Sequence, residues 1–227
     1  MKAFEPTLHL VDVPGTLPAE AAALLPEGAD RAAFIFNGEG WGEAERTAWE
    51  AATGGGWFCL SRDGSSSART LGTLAFSLLP AGEVLMVHSD DPLLLQLAGP
   101  RVRIHAPAEG VVLGPEEVKR EWGVDPWQLP DYLALVGCPS LGAQGALGVD
   151  ELLACALLEQ FASVEELTGR LDLLKMVDLS HADRLRGILK KQGERLRADA
   201  ARLNLHSGEQ IVVAEGAFRR RKYANLI

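Results

Sequence analysis

The reading turns on residues 84–142, VLMVHSDDPLLLQLAGPRVRIHAPAEGVVLGPEEVKREWGVDPWQLPDYLALVGCPSLG. The stretch opens with the apolar run VLMVH (84–88) and breaks at Ser89-Asp90-Asp91-Pro92. It resumes as RVRIH (101–105) and changes character after Gly114. Short runs rich in β-branched residues and bounded by turn formers read as buried strands. Pro115-Glu116-Glu117 reads as a helix start, with proline early and acids in the first turn. One stretch thus holds the end of a strand-bearing region and the beginning of a helical one.

The same grammar extends outward. Toward the amino terminus lie LHLVDV (8–13), AAFIF (32–36) and WFCL (57–60), with helical spacing over 19–25, 42–52, 68–79 and 93–97. Alternating strands and helices predict an α/β layer with a mostly parallel sheet. Toward the carboxyl terminus, residues 129–136, 150–161, 164–171 and 181–203 carry helical periodicity. Leu152, Leu153, Ala156, Leu157 and Phe161 are expected on one helical face at steps of three to four residues. The expected organisation is an α/β unit over 1–113 and a helical subdomain with a basic carboxyl terminus over 114–227.

Composition narrows the class. Of 227 residues, 47% are hydrophobic and 23% charged, which excludes a disordered or low-complexity chain. Three cysteines without a CxxC pair predict neither a disulfide scaffold nor a thiolate zinc site. The five histidines show no spaced cluster in sequence. Without an apolar run of signal-peptide or membrane-spanning length, the expectation is a soluble, cytoplasmic protein with no membrane partner.

The net charge of −9 argues against a simple nucleic-acid binder, yet it is unevenly spread. Residues 180–227 hold 11 basic and 5 acidic residues, a local net of +6. Arg184, Arg186, Lys190, Lys191, Arg195, Arg197 and Arg202 fall on one predicted helix, followed by Arg219-Arg220-Arg221-Lys222. A basic helix can follow a phosphate backbone.

Gly123-Val124, Pro126, Gln128-Leu129, Asp131-Tyr132, Ala134-Leu135 and Gly137, followed by LLEQF (157–161) and SVEEL (163–167), stand in an order that resembles the bacterial 5′→3′ exonuclease/flap endonuclease family. That family includes the amino-terminal domain of DNA polymerase I. The likeness covers about residues 83–171 and is thin at Leu10-Val11-Asp12. It implies a PIN-like 5′ nuclease fold with a helix–three-turn–helix subdomain, and a carboxylate cluster holding two Mg²⁺ ions that activate water.

Residue by residue, the resemblance puts Asp12 at the first metal-ligand position and Asp90 or Asp91 at the next. Elsewhere the family's carboxylates are absent: Asn37, the serine run 65–67, Cys138 and Leu141 stand in their places. The expectation is a dismantled catalytic site, with Asp12, Asp90 and Asp91 holding at most one Mg²⁺ or Mn²⁺ weakly. The segment replacing the family's helical arch is short and acidic, and its Trp41 and Trp49 read as core rather than as base-stacking platforms. The family's phosphate-binding hairpin, with its K⁺ ion, is reduced to Gly145, Gly148 and an acid, Asp150. The resemblance implies weak contact with duplex or branched DNA through Gly145, Gly148, Arg184, Lys190, Lys191, Arg195, Arg219, Arg220 and Arg221. A role in DNA replication or repair, with a DNA polymerase or another replication or repair protein as partner, completes the expectation. Two alternatives stand beside it. One is a protein-interaction scaffold without a DNA role, using apolar replacements such as Cys138, Leu141 and Leu147. The other is an active Mg²⁺- or Mn²⁺-dependent nuclease with a reduced site.

Overall fold

A computed structural model describes residues 4–13, 21, 23–176, 182–206, 208–214 and 216–221. Of the helix expected over 19–25, residues 19, 20 and 22 lie outside them, as do His181 and Lys222. The chain divides into two compact units: residues up to Pro115 together with those from Leu205 on, and Glu116–Asn204.

The first unit is built on a six-stranded sheet of β1 (Leu8–Val13), β2 (Ala32–Phe36), β3 (Phe58–Ser61), β4 (Leu85–His88), β5 (Val102–Ala106) and β6 (Val111–Leu113), in the order β3-β2-β1-β4-β5-β6. All neighbours are parallel except β6, which pairs antiparallel with β5. β6 is absent from the sequence reading because VVL is too short to show a period. β1 and β2 are buried along their whole length, as near-continuous apolar strands of a parallel sheet should be.

Helix α1 (Glu43–Gly54) lays Ala48 and Ala52 against Val11, Val13, Phe34 and Phe36. Trp41 and Trp49 join this core. Each stacks on Phe36, and their own ring centroids lie 5.2 Å apart. Helix α2 (Ser67–Leu78) is capped by Ser66, whose hydroxyl accepts from the Arg69 amide, and buries Ser67, Leu71 and Leu74. The segment Pro92–Leu97, expected as α-helix, is a 3-10 helix capped by Asp91.

The carboxyl-terminal stretch departs from the expected boundary. From Leu205 on it returns to the sheet unit instead of extending the helical one. The Leu205 amide donates to Gln96 Oε1, the Ile211 amide to Ser77 Oγ, and the Arg220 and Arg221 amides to the Asp30 and Gly56 carbonyls. Gly72 on α2 is needed for this path, since a Cβ there would stand 2.8 Å from Leu205 Cβ.

The second unit contains α3 (Pro115–Trp122), α4 (Leu129–Val136), α5 (Glu151–Phe161), α6 (Val164–Gly169) and α7 (Ala182–Leu203). Leu129, Leu133, Leu157, Leu158, Leu189 and Leu196 are buried in it. Two polar residues of the stretch quoted above fasten its helix ends. Buried Gln128 donates from Nε2 to the Leu158 and Ala162 carbonyls at the end of α5, and Asp131 accepts from the Val164 amide at the start of α6. Gln128→Ala would take the side-chain donor from both carbonyls, leaving Leu158 with the Ala162 amide alone and Ala162 without its donor. It is expected to cost about 1–3 kcal/mol, read as a lower urea midpoint with an unchanged slope.

Candidate functional site

The strand order reverses at β1: β2 and β3 extend to one side of it, β4 to β6 to the other. In open α/β sheets the carboxyl ends of strands at such a switch point form the ligand crevice. Asp12 and Ser89 stand there, near the end of β1 and just past β4. Ser89 Oγ donates to Asp12 Oδ2 at 2.6 Å, and Asp12 Oδ1 is buried without a hydrogen-bond partner. Burial pushes the Asp12 carboxyl above its ordinary range, while the Ser67 and Ser89 hydroxyls oppose the shift. Asn37, past the end of β2, accepts from the Ser67 amide through Oδ1 and so fixes the start of α2.

Asp90 and Asp91 do not join Asp12 in a ligand cluster. Asp90 Oδ1 accepts from the Ala108 amide in the β5–β6 turn, and Asp91 Oδ1 accepts from the Leu93 amide at its own 3-10 helix. Among the described residues no three His, Cys, Asp or Glu side chains stand where they could share a metal ion. The fit to a two-metal centre fails on chemistry. Asp12 offers one orphaned carboxylate oxygen, and each of the two neighbouring carboxylates has one of its two oxygens held by a backbone amide.

The opposite face of the same strands carries a feature that sequence spacing hides. His9, His88 and His105 lie on adjacent strands, with His9 Nδ1 2.9 Å from His88 Nε2 and His88 Nδ1 2.9 Å from His105 Nδ1. His9 and His88 are buried. A neutral central imidazole has one proton and must donate to one neighbour while accepting from the other. The chain can take one extra proton at an outer nitrogen and keep both bonds. A second would force two N–H groups against each other.

Burial and the two flanking rings push His88 down to about 3, and burial lowers His9. The unfolded chain takes up these protons near 6.5 and the folded one resists them. The resulting stability is present above pH 6.5 and is lost as pH falls toward 3, by roughly 3–5 kcal/mol for His88. Urea midpoints from pH 7.5 to 4 should fall for the parent and fall less for His88→Asn. Asp12 acts with the opposite sign, since a raised acid contributes stability below its unfolded pKa and loses it as pH rises. Asp12→Asn is therefore expected to unfold at a higher temperature than the parent at pH 7.5, with the gap closing at pH 3.5.

In the helical unit, Gly145 is fixed by close approach. Its φ is +74°, and a Cβ there would meet the Val136 carbonyl oxygen at 2.5 Å. Gly148 is also left-handed but faces open space. Asp150 caps α5, its Oδ1 accepting from the Leu153 amide.

The basic residues divide into three groups. Arg195 donates to the Gly145 carbonyl at 2.7 Å and to Asp199, so it holds the hairpin from within. A guanidinium on that carbonyl repels any K⁺ at the same oxygen, and the expected potassium site is disfavoured. Arg202 donates to the Leu141 carbonyl and pairs with Asp199. Arg184, Arg186, Lys190 and Lys191 are exposed on the first half of α7, with no ion pair among the described residues. Arg219, Arg220 and Arg221 lie in the sheet unit. Arg219 bridges to Arg31, and Arg220 donates to the Gly55 carbonyl with its guanidinium 4.8 Å above the Trp57 ring. The sequence reading grouped them with the helical subdomain, whereas they belong to the sheet unit.

The fold is that of the 5′ nucleases. The structure aligns with bacteriophage T5 5′-exonuclease at a TM-score of 0.73 and 12% identity, covering 88% of this chain and 89% of that one. It aligns with the catalytic core of Rad2 in complex with DNA substrate at 0.56 and 13% identity, covering 93% and 84%.

In sequence, 114 residues are 36% identical to the flap endonuclease Xni of Yersinia enterocolitica, 50% of this chain and 45% of that one. The Xni of Salmonella paratyphi B is 33% identical over 114 residues. The match thus spans about half the length of the curated relatives. No family model matches the chain. Over the matched half, and in fold, the chain is similar to the bacterial 5′–3′ exonuclease/flap endonuclease family. No helix among the described residues is long and apolar enough to cross a membrane.

Proposed function

We propose that this chain is a DNA-binding protein on the 5′-nuclease fold that lacks a working two-metal centre and acts in DNA replication or repair. The observation that carries the reading is the fate of the three candidate carboxylates. Asp12 is buried with one oxygen unpartnered, whereas Asp90 and Asp91 each turn one oxygen to a backbone amide outside any shared cluster. Two divalent ions about 3.5–4 Å apart need several free carboxylates to neutralise them. Among the described residues no three such side chains are grouped.

DNA binding rests on different residues. Arg186 and Lys190 are one helical turn apart, and Arg184 and Lys191 two turns apart, so both pairs project from the solvent side of α7. Free cations on a rigid helix gain affinity by releasing counterions from phosphates. The relatives bear on this reading because one T5 flap endonuclease structure is a complex with DNA and metal ions and the Rad2 core holds a DNA substrate. The acidity of the remainder of the chain keeps the affinity low.

A labelled 5′-flap tests both parts. No cleavage is expected with Mg²⁺ or Mn²⁺ at enzyme excess, and cleavage lost in Asp12→Ala would overturn the inactive reading. Binding should weaken with salt. The variant with Gln at 184, 186, 190 and 191 should lose at least tenfold in affinity and flatten the slope of log K against log salt by about 3–4. Equal binding by parent and variant would move the contact elsewhere.

A further inference from the structure

The helical unit carries an open groove with both polar and apolar lining, which no described segment fills. One wall is α5. Its inner face buries Ala154, Leu157, Leu158 and Phe161, as an amphipathic helix should. Its outer face carries an apolar stretch between acidic residues. Leu152, Cys155 and Ala156 follow at one-turn spacing, and Leu152 is 83% exposed. The facing wall is Val124 and Trp127, the latter 57% exposed. The groove between them has a volume of about 540 Å³.

Gly123 allows the close approach that forms the floor, because a Cβ there would stand 2.7 Å from Cys155 Sγ. That thiol donates to the Trp122 carbonyl and is pushed up by burial and by Glu151, so it stays neutral and lines the floor as an apolar group. A lone exposed leucine is unremarkable. A tryptophan and a leucine exposed on the two walls of one groove form a contiguous patch of the kind that marks a partner site.

Charge indicates what kind of partner. Glu151 and Glu159 stand exposed at the two ends of the outer face of α5, with no ion pair among the described residues. The groove's one lysine, Lys119, is neutralised by Asp125 at 3.0 Å. Residues 114–179 together hold 12 acidic and 4 basic residues. From Leu152 to Glu159 is two turns of helix, about 10 Å of rise.

We propose that this groove docks a short, basic, amphipathic helix of a protein partner. The partner's apolar stripe lies between Trp127 and Leu152 and its flanking lysines or arginines meet Glu151 and Glu159. This is the helix-in-groove mode of recognition, read by apolar anchors at i, i+3, i+4 and i+7. The acidic rim would repel a phosphate backbone, so the groove is separate from any DNA contact made by α7.

The probe is a dye-labelled 18-residue synthetic peptide with leucines on one helical face and lysines on the flanks. A second peptide replaces every lysine with glutamate. Fluorescence anisotropy with the full chain should show saturable binding of the lysine peptide and none of the glutamate peptide. Trp127→Ala and Leu152→Glu should each weaken binding at least tenfold. Glu151→Lys with Glu159→Lys should weaken it and flatten its salt dependence.

Leu152 is exposed, so Leu152→Glu should keep the parent's thermal midpoint and its affinity for duplex DNA, which separates a lost groove from a lost fold. The proposal is overturned if the lysine peptide fails to bind, if the two peptides bind alike, or if the variants bind as the parent does. It is also overturned if the parent dimerises and Leu152→Glu makes it monomeric, because the occupant is then a second copy of the chain.

Discussion

The parallel pairing of β1 with β2 on one side and β4 on the other is the constraint on which the rest of the sheet unit depends. It buries six consecutive residues of β1, and it allows only one assignment of side chains to faces. His9 and Asp12 are three positions apart and so point to opposite faces of the sheet. The register that sets Val11 beside His88, and His88 beside His105, then assembles the histidine chain on one face. The same ladder carries Ser89 to Asp12 at the end of the strands. A slip of one residue would exchange the two faces and place charged and imidazole groups in the apolar core.

The two polar sites on β1 differ in how well they are satisfied. The histidine chain closes its own hydrogen bonds at the cost of refusing protons. Asp12 is closed on one oxygen only, and its burial disfavours the charged form. A carboxylate held that way is a cost to the fold. The unit carries it at the carboxyl end of β1, while Asp90 and Asp91 beside it accept from the amides of a turn and of a 3-10 helix. Asp91 shows this most directly, because the oxygen that accepts from Leu93 shapes the loop after β4 and is not free to share an ion.

The helical unit turned its arginines in a similar direction. Arg195 and Arg202 close hairpin and loop carbonyls at Gly145 and Leu141 and share Asp199 between them, which makes internal ties out of residues that a linear reading assigns to DNA. The free cations that remain cluster in the first half of α7. The apolar stretch on the outer face of α5 lies in the same unit, with an acidic rim.

Much of this was legible in the sequence. Unbroken apolar runs at 8–13 and 32–36 specify buried parallel strands. The switch to helical periodicity after Gly114 marks the second unit, and Asp150 before an apolar run announces the cap of α5. The order of Gln128, Asp131 and Gly137 carried the family resemblance. The structure shows why the first two matter, since they fasten the ends of α5 and α6. What the sequence could not show is whatever depends on through-space register. His9, His88 and His105 are far apart in the chain and meet only because three strands align. Residues 219–221 continue a basic pattern in one dimension, yet backbone hydrogen bonds to Asp30 and Gly56 draw them to the sheet. Composition and periodicity determine which segments become strands and helices, because those depend on local burial. Which carboxylate stays free and which arginine faces solvent was decided by tertiary structure, because a hydrogen bond to a distant amide or carbonyl is a property of the folded chain alone.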